Sequence, residues 1–146
     1  MHRIENYETL EFLSRSSNES LARVAAAGFA AQLDPTLDEL GDIKTAVSEA
    51  VTNAIVHGYP DRLGKIVVKL KLLENNTLEI TVRDWGKGIE DIQQARQPMF
   101  TTGGEERSGM GFTIMESFMD RLTVKSTPGR GTTVTMRRRI SARIKR

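Results

Sequence analysis

The feature that most constrains this chain is a set of three short polar blocks, each at the end or on the flank of an apolar-periodic segment. They are Glu49-Ala-Val-Thr-Asn53, Asp84-Trp-Gly-Lys-Gly88 and Gly109-Met-Gly-Phe-Thr113, in that order. Glu49 and Asn53 are four apart in a helical pattern, so a carboxylate and an amide oxygen leave one helix face a turn apart. Such a pair suits a general base beside a metal ligand. Asp84 closes a strand-like run, and the two glycines after it let backbone approach a flat ligand while the carboxylate accepts from an amino group. Gly109 and Gly111 precede an apolar helical segment, where free N–H groups and the positive end of a helix dipole face an anion. An adenine ring and its phosphates fit these demands, so the fold must bring a helix flank, a strand end and a helix start to one cleft.

With 146 residues, the chain is expected to form a single domain over 1–146 with a sizeable core. It has no cysteine, which excludes disulfides and thiolate metal sites. No apolar run reaches the roughly 18 to 20 residues needed to span a bilayer, and Met1-His-Arg-Ile-Glu5 lacks an apolar signal core. A cytoplasmic location is the expectation. Net charge is +2, yet Arg137, Arg138, Arg139, Arg143, Lys145 and Arg146 crowd the last ten residues. Basicity therefore reads as a property of a tail over 137–146, expected to be a solvated terminus.

Periodicity gives a mixed order of elements. Tyr7 to Leu13 reads as a first strand. Ser16 and Glu19 have capping-box spacing and open a helix with Leu21, Val24, Ala25 and Phe29 on its apolar face, running to Leu33. Asp34-Pro35 breaks it. Thr36 and Glu39 repeat the capping signature for a second helix, with Leu37, Leu40, Ile43, Val47, Ala50, Ala54 and Ile55 inward, reaching His57-Gly58. Lys65 to Leu73 and Thr77 to Arg83 flank Glu74-Asn75-Asn76 as a hairpin that delivers Asp84. A helix from Met110 to Met119 leads to a second hairpin, Leu122 to Ser126 and Thr132 to Arg138. Hairpins with intervening helices predict an α+β fold, a two-layer sandwich with an antiparallel or mixed sheet and helices on one face. The Gly-rich stretch from Pro98 to Ser108 reads as a lid over the site.

Taken singly, each block also has an ordinary structural reading: an exposed helix pair, a strand-to-loop turn, a tight helix entry. Their joint order favours a nucleotide site. The blocks resemble the N, G1 and G2 boxes of the GHKL superfamily of gyrase, Hsp90, histidine kinases and MutL. Longer stretches narrow the likeness: Leu33-Asp-Pro-Thr-Leu-Asp-Glu-Leu40, Ser48-Glu-Ala-Val-Thr-Asn-Ala-Ile55 with His57-Gly-Tyr59, Ala95-Arg-Gln-Pro-Met-Phe-Thr-Thr102 and Glu106-Arg-Ser-Gly-Met-Gly-Phe-Thr-Ile-Met-Glu116. They are similar to the anti-sigma-F factors of endospore-forming bacteria, a family of anti-sigma serine kinases.

That resemblance implies a fold of the GHKL type and a set of roles. Asn53 would ligate Mg²⁺ on ATP or ADP, and Glu49 would accept the proton of a partner's serine hydroxyl. Asp84 would hold the adenine amino group in a pocket shaped by Gly86 and Gly88. Gly109, Met110 and Gly111 would cradle phosphates, with Thr101, Thr102, Arg107 and Ser108 of the lid also against the nucleotide and Thr132 supporting the base. Gly103-Gly104 stands where relatives carry Lys-Pro. Trp85 would stack on ligand or shield a strand end, and His57 reads as a structural residue at a helix C-terminus. Glu19 and Arg23 match partner-contacting positions; their ordinary reading is an i,i+4 ion pair. The implied partners are an RNA polymerase sigma factor of sporulation, sigma F, and an anti-anti-sigma protein phosphorylated on serine. A homodimer paired along the first strand near Leu10 is also implied. Alternatives are a stress-response switch kinase of the same family and a non-catalytic sequestering module that binds nucleotide as a ligand. Without an aromatic stacking platform, direct nucleic-acid binding is disfavoured, as is a membrane.

Overall fold

Five strands form one antiparallel sheet in the order β1-β2-β3-β5-β4, in a computed structural model that describes residues 2–96 and 111–141. In chain order the elements are β1 (Ile4–Leu13), α1 (Asn18–Ala30), a 3₁₀ turn (Ala31–Leu33), α2 (Leu37–Asn53), a π-helical turn (Ala54–Gly58), β2 (Lys65–Leu73) and β3 (Thr77–Asp84). Then follow α3 (Ile92–Ala95), α4 (Gly111–Phe118), β4 (Arg121–Thr127) and β5 (Gly131–Arg139). The sheet is antiparallel throughout, so the mixed alternative does not apply. Thr101, Thr102, Arg107, Ser108, Gly109, Met110, the rest of the expected lid and residues 142–146 lie outside the described residues. No helix among the described residues is long and apolar enough to cross a membrane.

Alternation along the strands builds the core. Ile66, Val68 and Leu70 of β2, Leu78, Ile80 and Val82 of β3 and Val134 and Met136 of β5 point to one face and are buried. Against them lie Ile43, Ala46, Val47, Ala50 and Val51 of α2, with Phe112 and Met115 of α4 beside them. Fully burying each larger side chain contributes about 1.5 to 3 kcal/mol. Helix α2 therefore lies pinned along the middle of the sheet, and its C-terminal turns end beside the end of β3. The β2–β3 turn places Asn75 and Asn76 at φ of 63° and 58°, which asparagine tolerates better than most residues. The Asn76 carbonyl then accepts from the Ile140 amide at 2.9 Å and its side-chain NH₂ donates to the Ile140 carbonyl at 3.0 Å, tying this turn to the end of β5.

The first helix departs from its expected face. Ala22, Ala26, Phe29 and Ala30 pack inward, whereas Leu21 and Val24 are 67% and 64% exposed. Small residues on the buried side let α1 lie close against α2, and the larger aliphatics are left outside. Leu37 is likewise exposed. No capping box forms at Ser16 and Glu19. The amide of Glu19 donates to the Ser16 carbonyl, that of Asn18 to Arg15, and the Asn18 side chain to Leu13, so the turn's own backbone takes up these donors. The Glu19 carboxylate is engaged instead with Arg23 at 3.4 Å and the Ser48 hydroxyl at 3.4 Å.

At Thr36 and Glu39 both halves of the capping box are present. The Glu39 amide donates to Thr36 Oγ1 at 3.0 Å, and the Glu39 carboxylate accepts from the amides of Thr36 and Ser141, each at 2.9 Å. One carboxylate thus clamps the start of α2 to the chain leaving β5. Burial alone would raise its pKa, but the Thr36 and Ser141 donors outweigh that and hold it below the ordinary value of 4.5. A folded pKa below the unfolded one gives stability that is present above the unfolded pKa and lost as pH falls through the folded one. Glu39→Ala should lower unfolding stability by about 1 to 3 kcal/mol at neutral pH. The deficit should shrink as both proteins are titrated in urea toward pH 3; a constant deficit would assign the loss to packing.

The expected basic tail is divided. Arg137, Arg138 and Arg139 belong to β5, with Arg137 paired to Glu79 at 2.8 Å and Arg138 to Asp42 at 2.9 Å. Basicity is not confined to the terminus either. Lys65, Lys69, Arg83, Arg121 and Lys125 alternate onto the sheet face opposite the helices and are exposed. The sequence showed the terminal cluster because it is contiguous, while strand pairing assembles the second cluster from distant segments.

Candidate nucleotide site

A cleft of about 540 Å³ opens where the end of α2, the end of β3, the start of β5 and the first turn of α4 converge. Each element delivers one side chain by simple periodicity. Asn53 is on the wall at the last turn of α2, and Glu49 is half-buried one turn earlier, outside the wall that the described residues form. The change to π-helical hydrogen bonding at Ala54–Gly58 carries His57 and Gly58 onto the same wall. Wider turns of this kind recur at functional positions in helices.

Asp84 is the last residue of β3 and faces Thr132, its register partner on β5. Both are nearly buried, at 5% and 8% exposed, and both line the cleft. The Asp84 carboxylate accepts from the Gly86 amide at 2.9 Å. Burial raises the pKa of this carboxyl above its ordinary 3.8, and the Gly86 and Thr132 amides partly oppose the rise. A buried acceptor aimed into a cavity is suited to a ligand amino group.

Close backbone approach explains two of the glycines. A Cβ on Gly86 would lie 2.0 Å from the Gly58 carbonyl oxygen, so a side chain there would push the loop after β3 away from the α2 end. A Cβ on Gly111 would lie 2.9 Å from the Asn53 amide nitrogen and 3.1 Å from its oxygen. A larger residue at 111 would displace the Asn53 side chain. Gly88 and Gly111 are on the wall, and Gly86 is behind it. Gly111, the first described residue of α4, therefore faces the same space as Asn53 and Asp84.

Comparison with known proteins agrees with this geometry. Residues 12–138 match the family model described as a histidine kinase-like ATPase domain. The anti-sigma F factor of Thermoanaerobacter sp. (strain X514) is 58% identical over 138 residues, spanning 94% of this chain and 96% of that protein. This chain belongs to the anti-sigma F factor family. A second member, from Geobacillus stearothermophilus, is 57% identical over 136 residues, spanning 92% of this chain and 93% of its own. Among solved structures, the RsbU and RsbW domains of Rv1364c from Mycobacterium tuberculosis share the fold at a TM-score of 0.68 and 20% identity. That match covers 92% of this chain and 32% of the other. The mycobacterial sensor histidine kinase MprB shares it at a TM-score of 0.57 and 14% identity, covering 90% of this chain and 96% of the other.

Within this family frame, the structure brings Asn53, Asp84, Gly88, Gly111 and Thr132 to one wall. Glu19 and Arg23 do not enter the cleft. They form an ion pair on α1, and through Ser48 the Glu19 carboxylate touches the turn of α2 that carries Glu49. Trp85 turns away, its ring between the Lys65 ammonium at 4.4 Å and the Arg83 guanidinium at 4.5 Å, so it shields the strand end. Sequence reasoning missed Ser126. Its hydroxyl lies 2.8 Å from the Thr132 hydroxyl, donates to the Gly131 carbonyl and accepts from the Ile89 amide at 2.7 Å, which ties the loop after β3 to β5. It also missed α3, capped by Asp91, whose side chain accepts from the Gln94 amide at 3.0 Å. An Asp three residues before Gln in a helix-forming stretch was the available signal.

Proposed function

We propose that this protein is an anti-sigma factor and serine kinase: it binds and inhibits a sporulation RNA polymerase sigma factor, sigma F, and uses Mg-ATP to phosphorylate an anti-anti-sigma protein on serine. The observation that carries the reading is the convergence of Asp84, Asn53 and Gly111 of α4 on one cleft, with Glu49 a turn behind Asn53. Asp84 takes the adenine amino group, Gly86 and Gly88 shape its pocket, and Thr132 supports the carboxylate from β5. Gly111, with Gly109 and Met110 before it, meets the phosphates, and Thr101, Thr102, Arg107 and Ser108 complete the nucleotide's surroundings. Asn53 offers Mg²⁺ one amide oxygen. Among the described residues no group of three or more acids or histidines could hold a metal. That donor set suits a hard cation kept chiefly by phosphate oxygens and water.

Glu49 serves as the base for the partner's serine hydroxyl. Glu19 and Arg23 present the partner surface on α1, in a cytoplasmic protein that contacts no nucleic acid directly. Among the described residues the outer strand β1 pairs with β2 alone, and its other edge is offered for a homodimer. Incubating the protein with Mg-ATP labelled at the γ-phosphate and the anti-anti-sigma protein should label serine in that partner. ATP binding without transfer would instead support a nucleotide-gated sequestering module. Arg23→Glu should weaken sigma-factor binding by about tenfold or more in calorimetric titration, a loss of roughly 1.4 kcal/mol, and leave ATP affinity within about twofold. Loss of both affinities would make the α1 ion pair a structural contact.

A further inference from the structure

The His57-Gly58-Tyr59 sequence ends in a side chain that the nucleotide chemistry leaves unused. Tyr59 is 5% exposed, and its hydroxyl makes two short bonds. It accepts from the Trp85 amide at 2.7 Å and donates to the Lys65 carbonyl at 2.6 Å. The register shows what this bridge does. Ile66 and Asp84 are the last paired residues of β2 and β3, so Lys65 and Trp85 would form the next pair. The tyrosine hydroxyl takes the place of that rung, standing between the strands and joining amide to carbonyl through itself.

From this observation we infer that Tyr59 is a positioning residue for nucleotide recognition: its hydroxyl relay sets the angle at which β3 ends and so aims Asp84 into the cleft. The inference rests on reading Asp84 as the adenine acceptor. Neighbouring contacts show that the relay is built. The ring packs so closely on Gly64 that a Cβ there would lie 2.1 Å from a ring carbon, and the Arg62 guanidinium covers it at 5.2 Å from the ring centroid. Two more contacts hold the same loop from the same side. The Lys87 amide donates to the Gly58 carbonyl at 3.0 Å, and a Cβ on Gly58 would lie 2.9 Å from the Asp84 carboxyl carbon. Residues 85 and 87 are thus held by hydrogen bonds to 59 and 58, and the Asp84 carboxylate packs closely on Gly58 beside them. Burial raises the phenol pKa, which keeps the hydroxyl protonated and able to donate.

Replacing the hydroxyl by hydrogen removes the relay and preserves the ring. Tyr59→Phe should raise the KM for ATP in the phosphotransfer assay, and the calorimetric Kd, by about 5- to 30-fold with kcat at saturating ATP within about twofold. Hydrogen exchange at the Trp85 amide should accelerate by a similar factor or more. An unchanged KM and Kd overturns the inference, and so does a variant that is only less stable but binds ATP normally in its folded fraction. Should Tyr59→Phe fail to fold, exchange in the wild-type protein decides. A Trp85 amide as protected as those of Ile80 and Val82 supports the relay, and exchange at open-loop rates overturns it. Failure of the wild-type chain itself to bind ATP would instead overturn the adenine reading of Asp84, and this inference with it.

Discussion

Glu49→Gln should lower serine phosphotransfer by about 10²- to 10⁴-fold while ATP affinity stays within about threefold. Glutamine keeps the shape of the side chain and can still accept a hydrogen bond, but it cannot take up the proton a serine hydroxyl must lose. The role proposed for Glu49 is separable from nucleotide binding. Glu49 is a full turn from Asn53 and outside the wall that the described residues form around Asp84 and Thr132. Its backbone is fixed by the buried neighbours Ala50 and Val51, so the substitution should not disturb α2. Labelled-phosphate transfer under single-turnover conditions, beside calorimetric ATP titration, checks both halves. A variant that transfers phosphate at the wild-type rate would move the base elsewhere. One that loses ATP binding would make Glu49 part of the nucleotide pocket.

Local signals made most of the layout readable. Two strand-like runs, Lys65 to Leu73 and Thr77 to Arg83, with turn-forming asparagines between them, marked the hairpin that delivers Asp84. The Thr36/Glu39 box marked the start of α2 because the cap is a contact between neighbours in sequence. What failed was long-range. Leu21 and Val24 satisfy helical spacing as well as Ala22 and Ala26 do, and only the approach of α1 to α2 selects the alanine face. Ser126 was invisible because its partners Ile89 and Thr132 meet only after β5 pairs with both β3 and β4. The same holds for Glu39, whose second partner, Ser141, is far away in sequence. Periodicity identifies elements, and the choice between equivalent faces is made by tertiary contacts that no local window contains.

Asp84→Asn should weaken ATP binding by about 100-fold, corresponding to about 2.7 kcal/mol, and leave the unliganded protein at least as stable as the wild type at neutral pH. The first half follows from hydrogen-bond direction. Asp84 presents acceptors alone, held in part by the Gly86 and Thr132 amides. Asparagine would keep its single oxygen for these backbone amides and turn an NH₂ group toward the cleft, where it would meet the donor NH₂ of adenine. The second half follows from linkage. Burial raises the folded pKa of Asp84 above its ordinary 3.8. A raised carboxyl contributes stability that is fully present below the unfolded pKa and is lost as pH rises through the folded one. At neutral pH the ionised carboxylate therefore burdens the empty protein, and the neutral amide removes that burden. Thermal unfolding should accordingly show the unliganded variant matching or exceeding the wild type at pH 7, with the difference closing as pH falls toward 4. Saturating ATP should then reverse the order. At 100 times its Kd a ligand stabilises by about 2.7 kcal/mol, which the variant, near its own Kd at that concentration, would largely forgo. A variant less stable than the wild type without ligand would show that Asp84 is held chiefly for the fold, and that its position at the end of β3 is a structural rather than a recognition requirement.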